Sequence, residues 1–201
     1  MAVISMEDWE NAWIVGERGI YLSADGLTWR FQGGAIFPVN ALARQPQRLV
    51  AGVENGLWEL PAAARRWIQL HDETLTEVRG LAPIDGDPGL AVVSAYGLAV
   101  GRRDEMGAAR WTSRSETLRV AARFASAVLV DPNAQQRWLV GTEDGVAVAE
   151  DSGTRWTYSN LTGVPVRALL HGLETFWAAT EEPWSTFAPG QPPSLPWRPR
   201  A

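Results

Sequence analysis

The chain has 201 residues, a size that fits one domain or one array of repeats, and its 46% hydrophobic and 20% charged residues are typical of a folded globular protein. Its 18 basic residues are all arginine, and a net charge of -5 argues against sequence-independent binding to nucleic acid. Cysteine is absent, which excludes disulfides, thiolate metal sites and a cysteine nucleophile.

The first residues, MAVISMEDWE, lack the basic flank and the apolar run of a secretory signal. No apolar run in the sequence approaches the roughly 18 residues of a membrane span. We therefore expect a cytoplasmic location and no membrane partner.

A short apolar run, a polar turn, a glycine and a second apolar run recur in this order five times along the chain. Every copy ends on a tryptophan. The copies span residues 12–29, 48–67, 90–111, 137–156 and 175–197, and they close on Trp29, Trp67, Trp111, Trp156 and Trp197, with spacings of 38, 44, 45 and 41 residues. This spacing indicates five structural units of one kind.

One further apolar segment precedes each copy, at residues 2–5, 39–43, 78–82, 125–130 and 166–170. Short runs rich in Val, Leu, Ala and Trp, separated by Gly, Asn and Asp, predict strands rather than helices. Each unit then holds four strands: A is the leading segment, B and C are the two halves of the repeat, and D surrounds the tryptophan.

Four-stranded units of about 40 residues that repeat radially are the blades of a β-propeller. The sequence therefore predicts an all-β protein that is a single propeller of five four-stranded antiparallel blades. The blades cover approximately residues 1–31, 32–70, 71–113, 114–159 and 160–201. We expect the N-terminal segment to pair within the first blade, and the proline-rich residues 191–199 to form an outermost edge, because proline cannot donate to a strand ladder.

Two of the turns that lead to a closing tryptophan share Asp, Gly and Trp. SADGLTW at 23–29 and DSGTRW at 151–156 resemble the Asp-box of the BNR repeat family, written Ser-x-Asp-x-Gly-x-x-Trp, with one residue missing in the first. The resemblance implies a propeller of the sialidase-like, sortilin-like or photosystem assembly factor-like type. It also implies structural roles on the C–D turns for the following residues: Asp25, Trp29, Asp151, Gly153 and Trp156.

In physical terms, an Asp-box carboxylate accepts hydrogen bonds from the amides of its own turn, the glycine allows a tight bend, and the tryptophan packs between blades. Eleven tryptophans also raise the possibility of sugar stacking. Eight of them occupy repeat positions that predict core packing, which are the five closing tryptophans and Trp13, Trp138 and Trp177. Trp9, Trp58 and Trp184 are the candidates for an exposed binding role.

The candidate ligand site lies where the central channel opens, on the face formed by the D–A and B–C loops. Alignment of the A strands places Asn40, Arg79, Ser126 and Arg167 at one equivalent position. Two guanidinium groups near one axis need an anion, a carboxylate or water as partners. The alternative is a purely structural site, in which acidic residues of the B–C turns pair with the arginines: Glu17, Glu54, Glu143, Asp144, Glu181 and Glu182.

Catalytic signatures are scarce. The sequence has no Gly-rich phosphate loop, no G-x-S-x-G elbow and no metal-binding histidine spacing. Plain loops explain His71, His171, the turn 85–89 and the acidic run 71–77 better than a metal site or a glycosidase acid pair. We therefore expect no cofactor, no metal and no catalytic residue.

These observations predict a non-enzymatic propeller that binds a protein partner or a small anionic ligand. The alternative is a carbohydrate-active propeller, either lectin-like or a glycoside hydrolase. Sialidase activity is not expected, because the chain has five repeats and lacks an Arg-Ile-Pro signature.

Overall fold

The computed structural model describes residues 2–5, 13–16, 20–25, 27–31, 38–61, 66–70, 75–85, 89–103, 105–106, 108–172, 175–180 and 185–187. These residues form strands and turns, with two 3₁₀ turns at Ser115–Thr117 and Val120–Ala122. The all-β prediction is confirmed.

The described strands form five antiparallel sheets, and each sheet is built from consecutive strands. Sheet 1 contains β1 (Ala2–Ser5), β2 (Trp13–Gly16), β3 (Ile20–Ser23) and β4 (Arg30–Phe31). Sheet 2 contains β5 (Val39–Gln45), β6 (Arg48–Val53), β7 (Gly56–Pro61) and β8 (Ile68–Leu70). Sheet 3 contains β9 (Gly80–Pro83), β10 (Leu90–Ser94), β11 (Gly97–Arg103) and β12 (Ala109–Ser113).

Sheet 4 contains β13 (Ala125–Asp131), β14 (Ala134–Thr142), β15 (Gly145–Ala149) and β16 (Thr157–Tyr158). Sheet 5 contains β17 (Val166–Gly172), β18 (Thr175–Thr180) and β19 (Ser185–Phe187). The predicted fourth strand of this last unit, at 191–199, lies outside the described residues.

The first strands of successive sheets lie side by side, β1 with β5, β5 with β9, β9 with β13, and β13 with β17. Each sheet then runs outward as a meander, which is the arrangement of propeller blades. Within sheet 1, β1 pairs with β2 along its whole length, and this confirms that the N-terminal segment pairs within its own sheet.

Apolar side chains between neighbouring sheets form the core, and small residues set how closely the sheets approach. A Cβ atom added to Gly52 of β6 would lie 2.4 Å from Cγ1 of Val78, which precedes β9. At the equivalent position of β14, a Cβ atom added to Gly141 would lie 2.8 Å from Cγ1 of Val166. Glycine at this repeat position therefore accepts a valine of the next sheet.

The tryptophans follow the repeat, but they are not all core residues. Trp138 is fully buried, as predicted, while Trp67, Trp111, Trp156 and Trp177 are half-buried. The prediction for Trp29 is wrong, because its side chain is 38% exposed.

Trp29 precedes a strand of two residues, β4, and both of those residues are exposed. Trp156, by contrast, donates from Nε1 to Oγ1 of Thr117 in the segment that joins sheet 3 to sheet 4. Trp58 is half-buried rather than exposed, and its Nε1 donates to Oδ1 of Asn55. Trp9, Trp184, Trp197 and the side chain of Trp13 lie outside the described residues.

Candidate functional site

The four residues predicted for the channel mouth line one cavity of about 390 Å³. The remaining lining comes from the residues that follow them on the first strands of sheets 2 to 5. Asn40, Arg79 and Arg167 are exposed at this mouth, whereas Ser126 is half-buried. The structure thus brings together all the residues that the repeat alignment selected.

β-bulges present three of these four side chains. The pairing register slips between Val39 and Ala41 in β5, between Ala125 and Ala127 in β13, and between Val166 and Ala168 in β17. The extra residues at these slips are Asn40, Ser126 and Arg167. A bulge releases one residue from the ladder and redirects its side chain, and it recurs here at the same place in three sheets.

Arg79 reaches the mouth by a different route, since it lies one residue before β9. Its backbone N–H donates to the carbonyl of Val93 at 2.8 Å, which fixes the start of the strand. Glu77, two residues earlier, has a φ of 47°, a left-handed conformation that is uncommon for a residue with a side chain. Its backbone N–H donates to the carbonyl of Glu54 in the preceding sheet at 2.7 Å.

Each arginine at the mouth has a carboxylate partner. Nη2 of Arg79 lies 3.0 Å from Oε2 of Glu77, and Nη1 of Arg167 donates to Oε1 of Glu143. The four side chains are between 41% and 55% exposed, so both ion pairs are in contact with solvent. Glu143 is one of the B–C turn residues named in the structural alternative, whereas Glu77 was not anticipated.

Ser126 has a structural role at the mouth as well. Its hydroxyl donates to the carbonyl of Val166 on the first strand of sheet 5. It also lies 3.4 Å from the carbonyl of Gly141 on its own sheet. The hydroxyl therefore ties sheet 4 to sheet 5 at the cavity that the two arginines line.

The two Asp-box-like turns lie at the opposite ends of the strands, on the C–D side. Oδ1 of Asp25 accepts the backbone N–H groups of Thr28 at 2.7 Å and Leu27 at 2.8 Å, together with the hydroxyl of Ser23. These bonds, led by the Thr28 amide, favour the charged carboxylate and lower the pKa of Asp25 to about 2.

Asp151 closes its turn in the same way. Its carboxylate accepts the backbone N–H groups of Thr154 and Arg155 at 3.1 and 2.9 Å, and Nε of Arg155 at 2.8 Å. The side chain of Arg155 is the main cause of a lowered pKa for Asp151. Both turns are thus held by their own aspartate.

Gly153 and Trp156 complete the second turn. Gly153 has a φ of +78°, and a Cβ atom at this position would lie 2.9 Å from the ring of Trp138. Nε1 of Trp156 donates to Oγ1 of Thr117 at 2.7 Å, which joins the turn to the segment between sheets 3 and 4. These contacts join the turn to β14 and to the segment before sheet 4, and the structural role expected for the turn stays a prediction.

A second cavity, which the sequence analysis missed, opens on the C–D side between sheets 2 and 3. Its volume is about 640 Å³. Its floor carries a largely buried ion pair, with Nη1 of Arg48 3.0 Å from Oε2 of Glu59, and Nε of Arg48 donates to Oε1 of Gln45. A repeated arginine in the sequence could have pointed to this ion pair. Arg137 occupies the equivalent position of sheet 4 and pairs there with Glu150.

The remaining candidates show no assembled chemistry. His171 lies in β17 rather than in a turn, and its ring packs at a tilt of 46° against the ring of Phe176, with centroids 4.9 Å apart. His71 and residues 86–88 lie outside the described residues. Over the described part of the chain, no group of His, Asp and Glu is placed to hold a metal ion, and no helix is long and apolar enough to cross a membrane.

Comparisons with known proteins bear on the fold. Neither a protein-family model nor a curated protein sequence matches the chain. Among solved structures, the chain resembles the extracellular domain of a protein described as a hybrid two-component system from B. thetaiotaomicron. That match has a TM-score of 0.74 and 17% identity, over 98% of this chain and 28% of that one.

Two further matches are to enzymes by description. The GH74 xyloglucanase from Xanthomonas campestris has a TM-score of 0.67 and 16% identity, over 92% of this chain and 34% of the other. A protein described as a gluconolactonase has a TM-score of 0.68 and 14% identity, over 86% of this chain and 68% of the other. The chain thus spans about a quarter to a third of the length of the extracellular domain and of the xyloglucanase. These neighbours are propeller-type proteins, and at this identity they establish a propeller-like fold alone.

Proposed function

We propose that this chain is a non-enzymatic binding propeller whose channel mouth holds a small anion between Arg79 and Arg167. The observation that carries the proposal is the single cavity lined by both arginines together with Asn40 and Ser126. The proposal includes closure of the five sheets into a five-bladed ring. The side-by-side packing of the first strands of consecutive sheets supports this closure.

The arginines are available to a ligand because their present partners are weakly held. Exposed ion pairs such as Arg79 with Glu77 and Arg167 with Glu143 contribute about 0–1 kcal/mol each, since water screens both charges. An anion that bridges both guanidinium groups gains charge-assisted hydrogen bonds from two forks at once. Glu77 and Glu143 then act as internal competitors that the ligand displaces.

The mouth is suited to holding a ligand rather than to converting it. Guanidinium and amide N–H groups are hydrogen-bond donors, which match the oxygens of sulfate, phosphate or a carboxylate. The Ser126 hydroxyl is engaged with the carbonyl of Val166, which stabilises the floor of the cavity.

A thermal-shift screen with sulfate, phosphate and citrate tests the proposal, with chloride at equal ionic strength as the reference. The parent should be stabilised by at least one of these anions, and the variant Arg79→Ala/Arg167→Ala should lose that response while it still folds. A matched variant, Arg102→Ala/Arg155→Ala, removes two exposed arginines outside the mouth and should respond like the parent.

If Glu77 and Glu143 compete with the anion, removal of their charges should increase the stabilisation by the anion, whereas removal of the arginines should abolish it. The variant Glu77→Gln/Glu143→Gln should gain more stability from the same anion than the parent does, because the internal carboxylates are gone. Equal responses from the parent and from the double arginine variant would overturn the anion site.

The proposal also covers the Asp-box relationship of the propeller and its location in the cell. The aspartate-capped turns at Asp25 and Asp151 support a place among the Asp-box propellers. We keep the cytoplasmic location as a proposal. The carbohydrate alternative rests on fold likeness to a xyloglucanase, and a glycan array with enriched, reproducible binding would favour it over the anion site.

A further inference from the structure

An apolar patch lies beside the channel mouth and is formed by Tyr96, Val120 and Phe124. Val120 is 73% exposed, and Tyr96 and Phe124 are each 66% exposed. Tyr96 belongs to the turn between β10 and β11, while the other two lie on residues 114–124, the segment that joins sheet 3 to sheet 4. Large apolar side chains grouped on a surface are typical of an interaction site.

The turn that carries Tyr96 and the segment that carries Val120 and Phe124 are in contact with each other. Oγ of Ser115 accepts the N–H of Leu98 at 2.9 Å and donates to the carbonyl of Tyr96 at 3.1 Å. A Cβ atom added to Gly97 would lie 2.8 Å from the carbonyl oxygen of Arg123.

The segment that carries the patch is anchored. Nη2 of Arg119 lies 2.7 Å from Oδ2 of Asp144, and its guanidinium lies over the ring of Tyr158 at 4.1 Å from the centroid. The N–H of Glu143 donates to the carbonyl of Phe124 at 3.1 Å. A rigid surface loses little conformational entropy when a partner binds, which favours recognition.

The patch carries one uncompensated positive charge. Arg123, next to Phe124, is exposed, and its side chain has no hydrogen bond or ion pair within the described residues. The patch therefore matches a partner that combines apolar side chains with a carboxylate.

We propose that Tyr96, Val120, Phe124 and Arg123 form a docking site for an acidic, apolar peptide segment of a partner protein. A large aliphatic or aromatic side chain of the segment covers the patch, and an Asp or Glu of the segment pairs with Arg123. A second copy of this chain fits less well, because a twofold contact centred here would bring Arg123 toward its own symmetry mate. The inference does not depend on the anion site at the mouth.

Selection of a displayed library of linear peptides on the immobilised chain provides the test. The enriched peptides should share a large apolar residue within a few positions of Asp or Glu. A synthetic peptide from the selection should bind at least about tenfold more weakly to Val120→Ser and to Phe124→Ser, since exposed anchor residues carry most of the affinity of such contacts. Ile68→Ser removes an exposed apolar side chain elsewhere, on β8, and should bind the peptide like the parent.

Charge reversal supplies the second arm. Arg123→Glu should weaken binding about tenfold, and a peptide with Lys in place of its acidic residue should recover that loss. The matched change Arg155→Glu should have no effect on peptide binding.

Three results would overturn the proposal. They are a library that yields no acidic, apolar consensus, peptides that bind the Phe124 and Arg123 variants as well as the parent, and self-association of the parent that Phe124→Ser abolishes. The last result would assign the patch to a second copy. The anion screen uses the arginines of the mouth and has a separate readout, so failure of either proposal can be recognised without the other.

Discussion

Packing between sheets 4 and 5 depends on a size match between Gly141 and Val166. Val166 is fully buried, and a methyl group added at Gly141 would meet its Cγ1 at 2.8 Å. In the preceding interface, between sheets 3 and 4, the matching position of β10 is Val93, and it shares a core cluster with the smaller Ala125. Large and small residues thus exchange places across equivalent interfaces.

The structure sets the expected magnitudes. Gly141→Ala overpacks a rigid core, which lowers the unfolding free energy by about 1–3 kcal/mol. The reduced freedom of the unfolded chain offsets about 0.4–1 kcal/mol of this loss. Val166→Ala removes two buried methyl groups at about 0.8 kcal/mol each and leaves a cavity, for a loss of about 2–3 kcal/mol. In the double variant the new methyl group occupies the vacated space. The loss should then be about 1–2 kcal/mol smaller than the sum of the two single losses.

Urea unfolding followed by tryptophan fluorescence measures this double-mutant cycle. Gly172→Ala is the matched control, because no atom lies within 4 Å of an added Cβ there. It should raise the unfolding free energy by about 0.4–1 kcal/mol, and by the same amount in the parent and in Val166→Ala. Losses for Gly141→Ala and Val166→Ala that add to within about 0.3–0.5 kcal/mol would refute the size-match reasoning.

Three further predictions concern single side chains. The pKa of Asp25 is lowered from 3.8 to about 2 in the folded protein. The charged carboxylate therefore stabilises the protein above pH 4, and this stabilisation is lost as the pH falls toward 2. The difference in urea midpoint between the parent and Asp25→Ala should shrink over that range. Ser126→Ala removes the bond to the carbonyl of Val166 and should lower the unfolding free energy by about 0.5–1.5 kcal/mol, measured by urea unfolding. Glu59→Gln breaks the largely buried pair with Arg48 and should cost about 3–5 kcal/mol in chemical unfolding, a loss that an exposed pair would not produce.

The repeat pattern made the strands and their order predictable. Glycines at the B–C turns marked where one strand ends and the next begins, and Gly56, Gly97 and Gly145 all have positive φ values. The closing tryptophans marked the fourth strands, since Trp67 and Trp156 directly precede β8 and β16. These signals are local in the sequence, and for this reason the strands could be predicted from the sequence.

Features set by tertiary contacts were not predictable. The repeat alignment selected Asn40, Ser126 and Arg167, but it did not predict the bulges at these three residues. The carboxylate partner of Arg79 is Glu77, which is placed by a left-handed backbone conformation that glycine-based rules do not anticipate. The exposure of Phe124 likewise follows from the 3₁₀ turns before β13, which leave no repeat signature.

The most direct test of the account is an NMR titration that observes the Nε–Hε signals of the arginines as sulfate replaces chloride at constant ionic strength. Arg79→Lys and Arg167→Lys assign the two signals of interest, and Arg102 and Arg155 serve as internal references. Binding at the channel mouth predicts that the Arg79 and Arg167 signals shift together along one saturation curve while the references stay fixed. Signals of Arg79 and Arg167 that do not move, or that move no more than those of Arg102 and Arg155, would contradict the central claim.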